Sequence, residues 1–186
     1  MFSKLFIGLL TVFTFLLVTS FSQAADLSTM SSAKTEMTNE MTNEMTNEMT
    51  NEMTKKVLTV YKNPSCGCCK KWVNHIEKSG FETVTHDRND LSGVKSAKGI
   101  EPKYRSCHTA VSKNGYVFEG HVPAKHIQQF LAEKPENALG LSAPGMGTGS
   151  PGMEMGGKFK PYKVFLLKND GSSEAYASIN SYKEQF

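Results

Sequence analysis

Residues 63–71 read Asn-Pro-Ser-Cys-Gly-Cys-Cys-Lys-Lys, so three of the chain's four cysteines lie within four positions. The run before them, residues 57–61, is rich in β-branched and aromatic side chains and predicts a strand. After the cysteines, apolar residues recur at helical spacing until Gly80, a residue type at which helices often end. The cysteines are therefore predicted to occupy a strand-to-helix turn, with Ser65 as the N-cap of the helix.

This turn has chemical consequences for its thiols. A helix N-terminus presents free N–H groups and partial positive charge, and nearby lysines add to it, so thiolate is favoured over thiol. A thiolate is both a nucleophile and a soft metal ligand. Cys66 and Cys69 have the Cys-x-x-Cys spacing of redox-active pairs, and Cys68 adds a third thiol between them. The stretch therefore predicts redox chemistry, metal binding or both.

Residues 1–24 have the features of a secretory signal peptide. Lys4 is their only charge, residues 5–18 are apolar, and Ser22-Gln23-Ala24 fits a cleavage site after Ala24. The alternative is a membrane anchor, but the apolar run is short against the roughly 20 residues that a spanning helix needs. We therefore expect a periplasmic protein without stable membrane insertion, in a compartment where disulfides can persist. A formal net charge of +3 is too small to indicate a nucleic-acid partner.

Residues 25–54 are of low complexity. From Glu36 the unit Glu-Met-Thr-Asn recurs every four residues, which spaces the methionines regularly between Met37 and Met53. The repeat contains no other apolar residue that could form a core, so the composition predicts a disordered spacer. The alternative is a flexible arm of thioethers that binds Cu(I), because soft sulfur ligands prefer soft metal ions.

Residues 55–186 are predicted to form one domain of the α/β (α+β) class. After the first strand and helix come a second strand at 81–86, a weakly helical segment at 90–98, a hairpin of strands 107–112 and 116–119, a helix at 124–134, a Gly/Pro/Met-rich loop at 140–157, and a C-terminal hairpin of strands 163–167 and 175–179. This order, with the cysteines on the first strand-to-helix turn, is typical of a thioredoxin-like sheet flanked by helices.

Four motifs carry a family resemblance. They are residues 61–72 with the cysteine cluster, Cys107-His108-Thr109-Ala110, Gly120-His121-Val122-Pro123-Ala124, and the Gly/Pro/Met segment within 140–154. Together they resemble the CopG-like family of exported metal-binding proteins, which is associated with copper resistance and a thioredoxin-like fold. The resemblance implies copper handling in the periplasm. It maps the family's cysteine motif onto Cys66, Cys68 and Cys69, and its lone later cysteine onto Cys107.

The residues themselves suggest the same kind of site. Thioredoxin-like oxidoreductases typically carry a cis-proline just before the third strand, where this chain has Cys107. If the fold is correct, Cys107 faces the other three thiols, and four thiolates suit Cu(I), with Zn(II) as the alternative ion. Met146, Met153 and His121 are candidates to complete the ligand set, and thioethers favour copper over zinc. The alternatives are a buried core Cys107, methionines that fill gaps, and a structural His121.

Other residues are predicted to lie outside the site. If Cys107 begins a strand, His108 should point to the opposite face. Solvent exposure is expected for His75, His86 and His126, and Trp72 is predicted to pack in the core.

Three functional hypotheses follow. The first is a copper-binding protein of copper resistance or homeostasis, which exchanges copper ions with other periplasmic copper-handling proteins. The second is a thiol-disulfide or copper oxidoreductase, in which Cys66 attacks and Cys69 resolves; the sequence leaves open whether the protein is an enzyme. The third is a secreted domain with two structural disulfides, which the adjacent Cys68 and Cys69 disfavour.

Overall fold

The computed structural model describes residues 56–145 and 147–186. The predicted signal peptide, the four-residue repeat and Met146 lie outside these residues. Within the described part of the chain, no helix has both the length and the apolar character needed to cross a membrane.

Seven strands and three helices make up the described part of the chain. In order they are β1 (Val57–Lys62), α1 (Gly67–Lys78), β2 (Glu82–Asp87), α2 (Ser92–Ala97), β3 (His108–Ser112), β4 (Val117–Gly120), α3 (Ala124–Glu133), β5 (Ala138–Ala143), β6 (Tyr162–Lys168) and β7 (Ser173–Ile179). Short 3-10 turns occur at Pro102–Tyr104 and Tyr182–Gln185. The predicted helices, the cysteine turn and both hairpins are confirmed, with ends that shift by a few residues.

All seven strands form one mixed sheet in the order β2-β1-β3-β4-β5-β6-β7. Two neighbouring pairs are parallel, β1 with β2 and β4 with β5, and the remaining pairs are antiparallel. Helices α1 and α3 lie in the connections between the parallel pairs, as parallel strands require a crossover. The arrangement belongs to the predicted α+β class.

The main core lies between one face of the sheet and the helices α1 and α3. Its largest fully buried side chains include Trp72 of α1, Phe118 of β4 and Phe130 of α3. The Trp72 indole N–H also donates a hydrogen bond of 2.9 Å to the carbonyl oxygen of Val122. Trp72 is thus a core residue, as predicted, and its hydrogen bond connects α1 to the segment that follows β4.

The N-cap prediction was wrong by one residue. Cys66, not Ser65, caps α1, and its Sγ accepts the Cys69 N–H at 3.3 Å. Asn63 explains the difference, because its side-chain oxygen accepts both the N–H of Ser65 at 2.9 Å and its hydroxyl at 2.6 Å. Ser65 is therefore held in a local Asx turn, and the cap position passes to a sulfur atom.

The prediction of a loop from residue 140 was also wrong at its start, because residues 138–143 form β5. Gly140 suggested a loop, but its lack of a side chain serves strand pairing: a Cβ there would lie 1.8 Å from the carbonyl oxygen of Val117. The pairing of β5 with β6 shifts register at this position. Gly140 therefore marks an irregularity where two backbones approach closely, and not a chain reversal.

Candidate metal centre

Three separate segments converge at one end of the sheet. The cysteine turn follows β1, Cys107 immediately precedes β3, and His121 immediately follows β4. Because β3 pairs antiparallel with both β1 and β4, the start of β3 lies beside the ends of its two neighbours. Four Sγ atoms lie within 4.8 Å of one another there, those of Cys66, Cys68, Cys69 and Cys107.

Two of these four sulfurs are joined. Cys66 and Cys69 form a disulfide, whereas Cys68 and Cys107 are free thiols, both partly exposed. The Sγ of Cys68 lies 3.4 Å from that of Cys66. Cys66 is partly exposed and Cys69 is fully buried. An exposed thiol or thiolate therefore reaches Cys66 more readily than Cys69.

Cys107 contacts two histidine rings. Its Sγ lies 3.1 Å from Nε2 of His121 and 3.3 Å from Nδ1 of His108. Burial, reinforced by the neighbouring Cys68, raises the pKa of the Cys107 thiol to about 11. Without a metal ion the thiol is therefore protonated at neutral pH, and a metal that binds it displaces this proton. The helix-terminus argument for a thiolate does not extend to Cys107, which lies just before β3 and not at a helix end.

His121 is held in one orientation. Its ring is 1% exposed, and Nδ1 lies 2.7 Å from the carbonyl oxygen of Pro151. A carbonyl only accepts, so Nδ1 carries the proton and Nε2 presents its lone pair toward Cys107. Burial lowers the pKa of His121, while the Pro151 carbonyl and Glu154 oppose the shift. The ring has the neutral, oriented form typical of a histidine ligand.

The prediction for His108 was wrong. Its ring lies on the same side as the Cys107 thiol, fully buried between Trp72 at 4.2 Å and His121 at 5.0 Å between ring centroids. Strand alternation did not apply, because Cys107 precedes the first residue of β3. The His108 Nε2 has no hydrogen-bond partner among the described residues. Together with Cys107 and His121 it forms a second cluster with ligand atoms close enough to hold a metal ion.

The Gly/Pro/Met loop lies against the cysteine turn. A Cβ on Gly152 would lie 2.7 Å from the backbone nitrogen of Trp72 and 2.8 Å from the carbonyl oxygen of Cys68. The loop backbone therefore contacts the first turn of α1, and Met153 follows directly, partly exposed. Of the two methionine candidates, Met153 is beside the site by chain position, and Met146 lies outside the described residues.

The other histidines are only in part where the sequence suggested. His86 is exposed and stacks on Tyr61, as predicted. His75 is half-buried, and its Nε2 accepts the Ala124 N–H at 3.1 Å. His126 is buried against Tyr176, contrary to the prediction, because β7 covers this face of α3. None of these three belongs to either cysteine cluster.

Comparison with known proteins identifies the family. A family described as "Protein of unknown function, DUF411" matches residues 104–153. The solved structure of "Copper resistance protein copG- Form 1" is 38% identical with a TM-score of 0.63, and the match covers 67% of this chain and 98% of that chain. Form 2 of the same protein matches with the same values. No match was found among the curated proteins. The chain belongs to the CopG-like family of copper resistance proteins.

Proposed function

We propose that the chain is an exported protein that binds Cu(I) and takes part in copper resistance or homeostasis. The observation that carries the proposal is the convergence of four cysteine sulfurs within 4.8 Å, contributed by two segments far apart in sequence. Thiolates are soft donors that suit Cu(I). In the reduced protein the ligands are Cys66, Cys68, Cys69 and Cys107. Sulfurs this close can also bridge more than one ion.

His121 and the methionines complete the proposed ligand set. The Nε2 lone pair of His121 points at Cys107, and Met153 follows the loop residue that contacts the cysteine turn. Met146, in the same loop, is proposed on sequence grounds alone. A set of thiolates, imidazole and thioether favours copper, because zinc rarely takes a thioether ligand.

The disulfide supports a second function, that of a thiol-disulfide or copper oxidoreductase. Forming the Cys66–Cys69 bond releases two protons and two electrons from the dithiol, and the electrons reduce either a partner disulfide to two thiols or two Cu(II) ions to Cu(I). The oxidised protein then retains two thiols, Cys68 and Cys107. The two functions are compatible, because a reducible pair within a metal site binds Cu(I) when reduced and loses two ligands when oxidised.

The sheet supports a thioredoxin-like domain over residues 55–186. Its first four strands have the order β2-β1-β3-β4, with β1 and β2 parallel and β3 antiparallel to β1 and β4. The remaining parts of the proposal rest on sequence: a signal peptide cleaved after Ala24, a spacer at 25–54, and exchange of copper with other periplasmic proteins.

A titration of the reduced, anaerobic protein with Cu(I), and separately with Zn(II), tests the proposal. We expect tight Cu(I) binding in the parent and loss of affinity or stoichiometry in Cys68→Ser, which leaves the Cys66/Cys69 pair intact. Ser65→Ala, an exposed hydroxyl in the same turn, is the control and should bind as the parent does. Parent-like Cu(I) binding by Cys68→Ser would favour the oxidoreductase, and a preference for Zn(II) would contradict the copper assignment.

A further inference from the structure

A buried carboxylate lies directly behind the segment that carries Cys107. Glu119 of β4 is fully buried, and its two oxygens accept three hydrogen bonds. Oε1 accepts the backbone N–H of Ser106 at 2.5 Å and the ammonium of Lys95 at 2.5 Å. Oε2 accepts the Thr109 hydroxyl at 2.6 Å, and Lys95 also donates to that hydroxyl at 3.0 Å. Every donor to this carboxylate comes from α2, from β3 or from the residue before Cys107.

The contact with Ser106 continues the sheet beyond its last paired residues. Pairing of β3 with β4 ends at Thr109 opposite Glu119. Past that point the Glu119 side chain accepts the N–H of Ser106, in place of a backbone carbonyl. The Ser106 hydroxyl also donates to the Gly145 carbonyl at 2.6 Å, at the start of the Gly/Pro/Met loop. Ser106 is therefore fixed on both sides, one residue before the Cys107 thiol.

The partner of that thiol, His121, directly follows β4. Gly120 follows Glu119, and a Cβ on it would lie 2.7 Å from both the Cβ and the Oγ of Ser106, so the Ser106 side chain packs directly against the Gly120 backbone. His121 comes next and faces the Cys107 sulfur. A displacement of Ser106 relative to β4 thus changes the distance from Cys107 to His121 directly.

We propose that Glu119 is a positioning residue of the metal centre. By accepting the Ser106 N–H, it sets Cys107 Sγ against His121 Nε2 and the cysteine turn. The expected effect on Cu(I) affinity rests on the proposed copper function. The position that Glu119 gives to the Cys107 thiol does not depend on copper. The competing explanation is that the Lys95–Glu119 ion pair only attaches α2 to the sheet. That role requires the charges and not the acceptor oxygen for Ser106.

Two neutral double variants separate these explanations. Lys95→Met with Glu119→Gln removes both charges and keeps an oxygen that can accept the Ser106 N–H. Lys95→Met with Glu119→Leu removes the charges and the acceptor. Replacing both members of a buried ion pair avoids an unpaired buried charge and is often tolerated. We expect parent-like Cu(I) affinity in the glutamine variant and about tenfold weaker binding in the leucine variant, as for other outer-shell contacts.

A second readout needs no metal. In oxidised protein that also carries Cys68→Ser, Cys107 is the one remaining free thiol of the chain's four cysteines. We expect its alkylation rate to change severalfold in the leucine background and to match the parent in the glutamine background. Equal effects of both double variants, or none in either, would overturn the proposal. If the leucine variant changes the alkylation rate but no protein in the series binds Cu(I), the parent included, then the positioning role stands and the copper function is refuted.

The donor side of the contact provides an independent test in case the leucine variant does not fold. Ser106→Pro removes the N–H and leaves Glu119 intact, and Arg105 already has the extended backbone that a following proline requires, with ψ of 144°. Ser106→Ala keeps the N–H and is the matched control for the lost hydroxyl. We expect the proline variant to bind Cu(I) about tenfold more weakly than the alanine variant. Equal affinity of the two variants would overturn the proposal.

Discussion

Cys107 and His121 meet across the ends of two neighbouring strands, with Sγ 3.1 Å from Nε2. The other ring nitrogen of His121 donates to the carbonyl of Pro151, in a different segment. One histidine thus connects the sheet, the cysteine cluster and the Gly/Pro/Met loop. The arrangement fixes which nitrogen is available to a metal ion, and this leads to the first prediction.

In the metal-free protein at neutral pH, we expect His121 to be the neutral tautomer protonated at Nδ1. Burial lowers its pKa, and the Pro151 carbonyl retains the Nδ1 proton. Long-range proton–nitrogen NMR correlations would show a protonated Nδ1 and an unprotonated Nε2, and Cu(I) should shift the Nε2 signal. Exposed His86 serves as the control, with no comparable Cu(I)-dependent shift. A His121 ring protonated only at Nε2 would contradict the proposed ligand geometry.

The C-terminal turn is expected to stabilise the loop of the metal centre. Gln185 is fully buried, donates to the Gly149 carbonyl at 2.9 Å and accepts the Tyr162 hydroxyl at 2.6 Å. Gln185→Ala leaves both partners without this bond, so the free energy of unfolding should fall by about 1–3 kcal/mol in urea. Gln129→Ala, at an exposed helix position, is the control and should change it little.

The same substitution should also affect the site. Gly149 precedes Pro151 and Gly152, which contact His121 and the cysteine turn. We therefore expect faster alkylation of Cys68 in Gln185→Ala than in Gln129→Ala, measured on the oxidised protein. Equal rates would mean that the C-terminal turn supports the fold but not the metal centre.

The fold was predictable where local signals and global packing agree. The two hairpins, the helices and the cysteine turn each follow from a short pattern, and all are present. Gly140 was wrongly taken as the start of a loop. A glycine is needed there because the backbone of β4 approaches it closely, and no local sequence pattern reveals that approach. Ser65 was wrongly predicted as the N-cap because the Asn63 side chain accepts hydrogen bonds from both its N–H and its hydroxyl.

The site was predictable in its cysteines and less so in its histidines. The spacing of the cysteines indicated their shared turn, and Cys107 reaches this turn because β3 pairs with β1 in the sheet. Burial of His108 and His126 depends on elements distant in sequence, namely α1 and β7. The position of His108 at the first residue of a strand, directly after a cysteine, was the one signal that could have identified it.

Buried His126 should make the domain sensitive to acid. Burial, and then the charge of Lys125, lowers its pKa below the ordinary value of 6.5. The side chain of Gln129 opposes this shift but does not reverse it. As the pH falls through about 6.5, the unfolded chain binds a proton that the folded domain does not, so stability is present above this pH and lost below it.

Variants at His126 test this sign. His126→Leu cannot bind the proton, so its free energy of unfolding relative to the parent should rise as the pH is lowered from 7.5 to 5. His86→Leu, at an exposed ring, is the control for replacing a histidine by leucine elsewhere in the domain. A His126→Leu difference that is independent of pH would show that the ring is not a source of acid sensitivity.

The proposed Cu(I) site depends on Cys107, which lies 38 residues from Cys69 and completes the site with the cysteine turn. Its most direct test is a competition assay with a Cu(I) chelator on the reduced, anaerobic Cys107→Ala variant, with circular dichroism to check the metal-free fold. We predict a folded domain whose Cu(I) affinity is at least about tenfold below that of the parent, because a ligand is lost. Affinity equal to that of the parent within error would contradict the account.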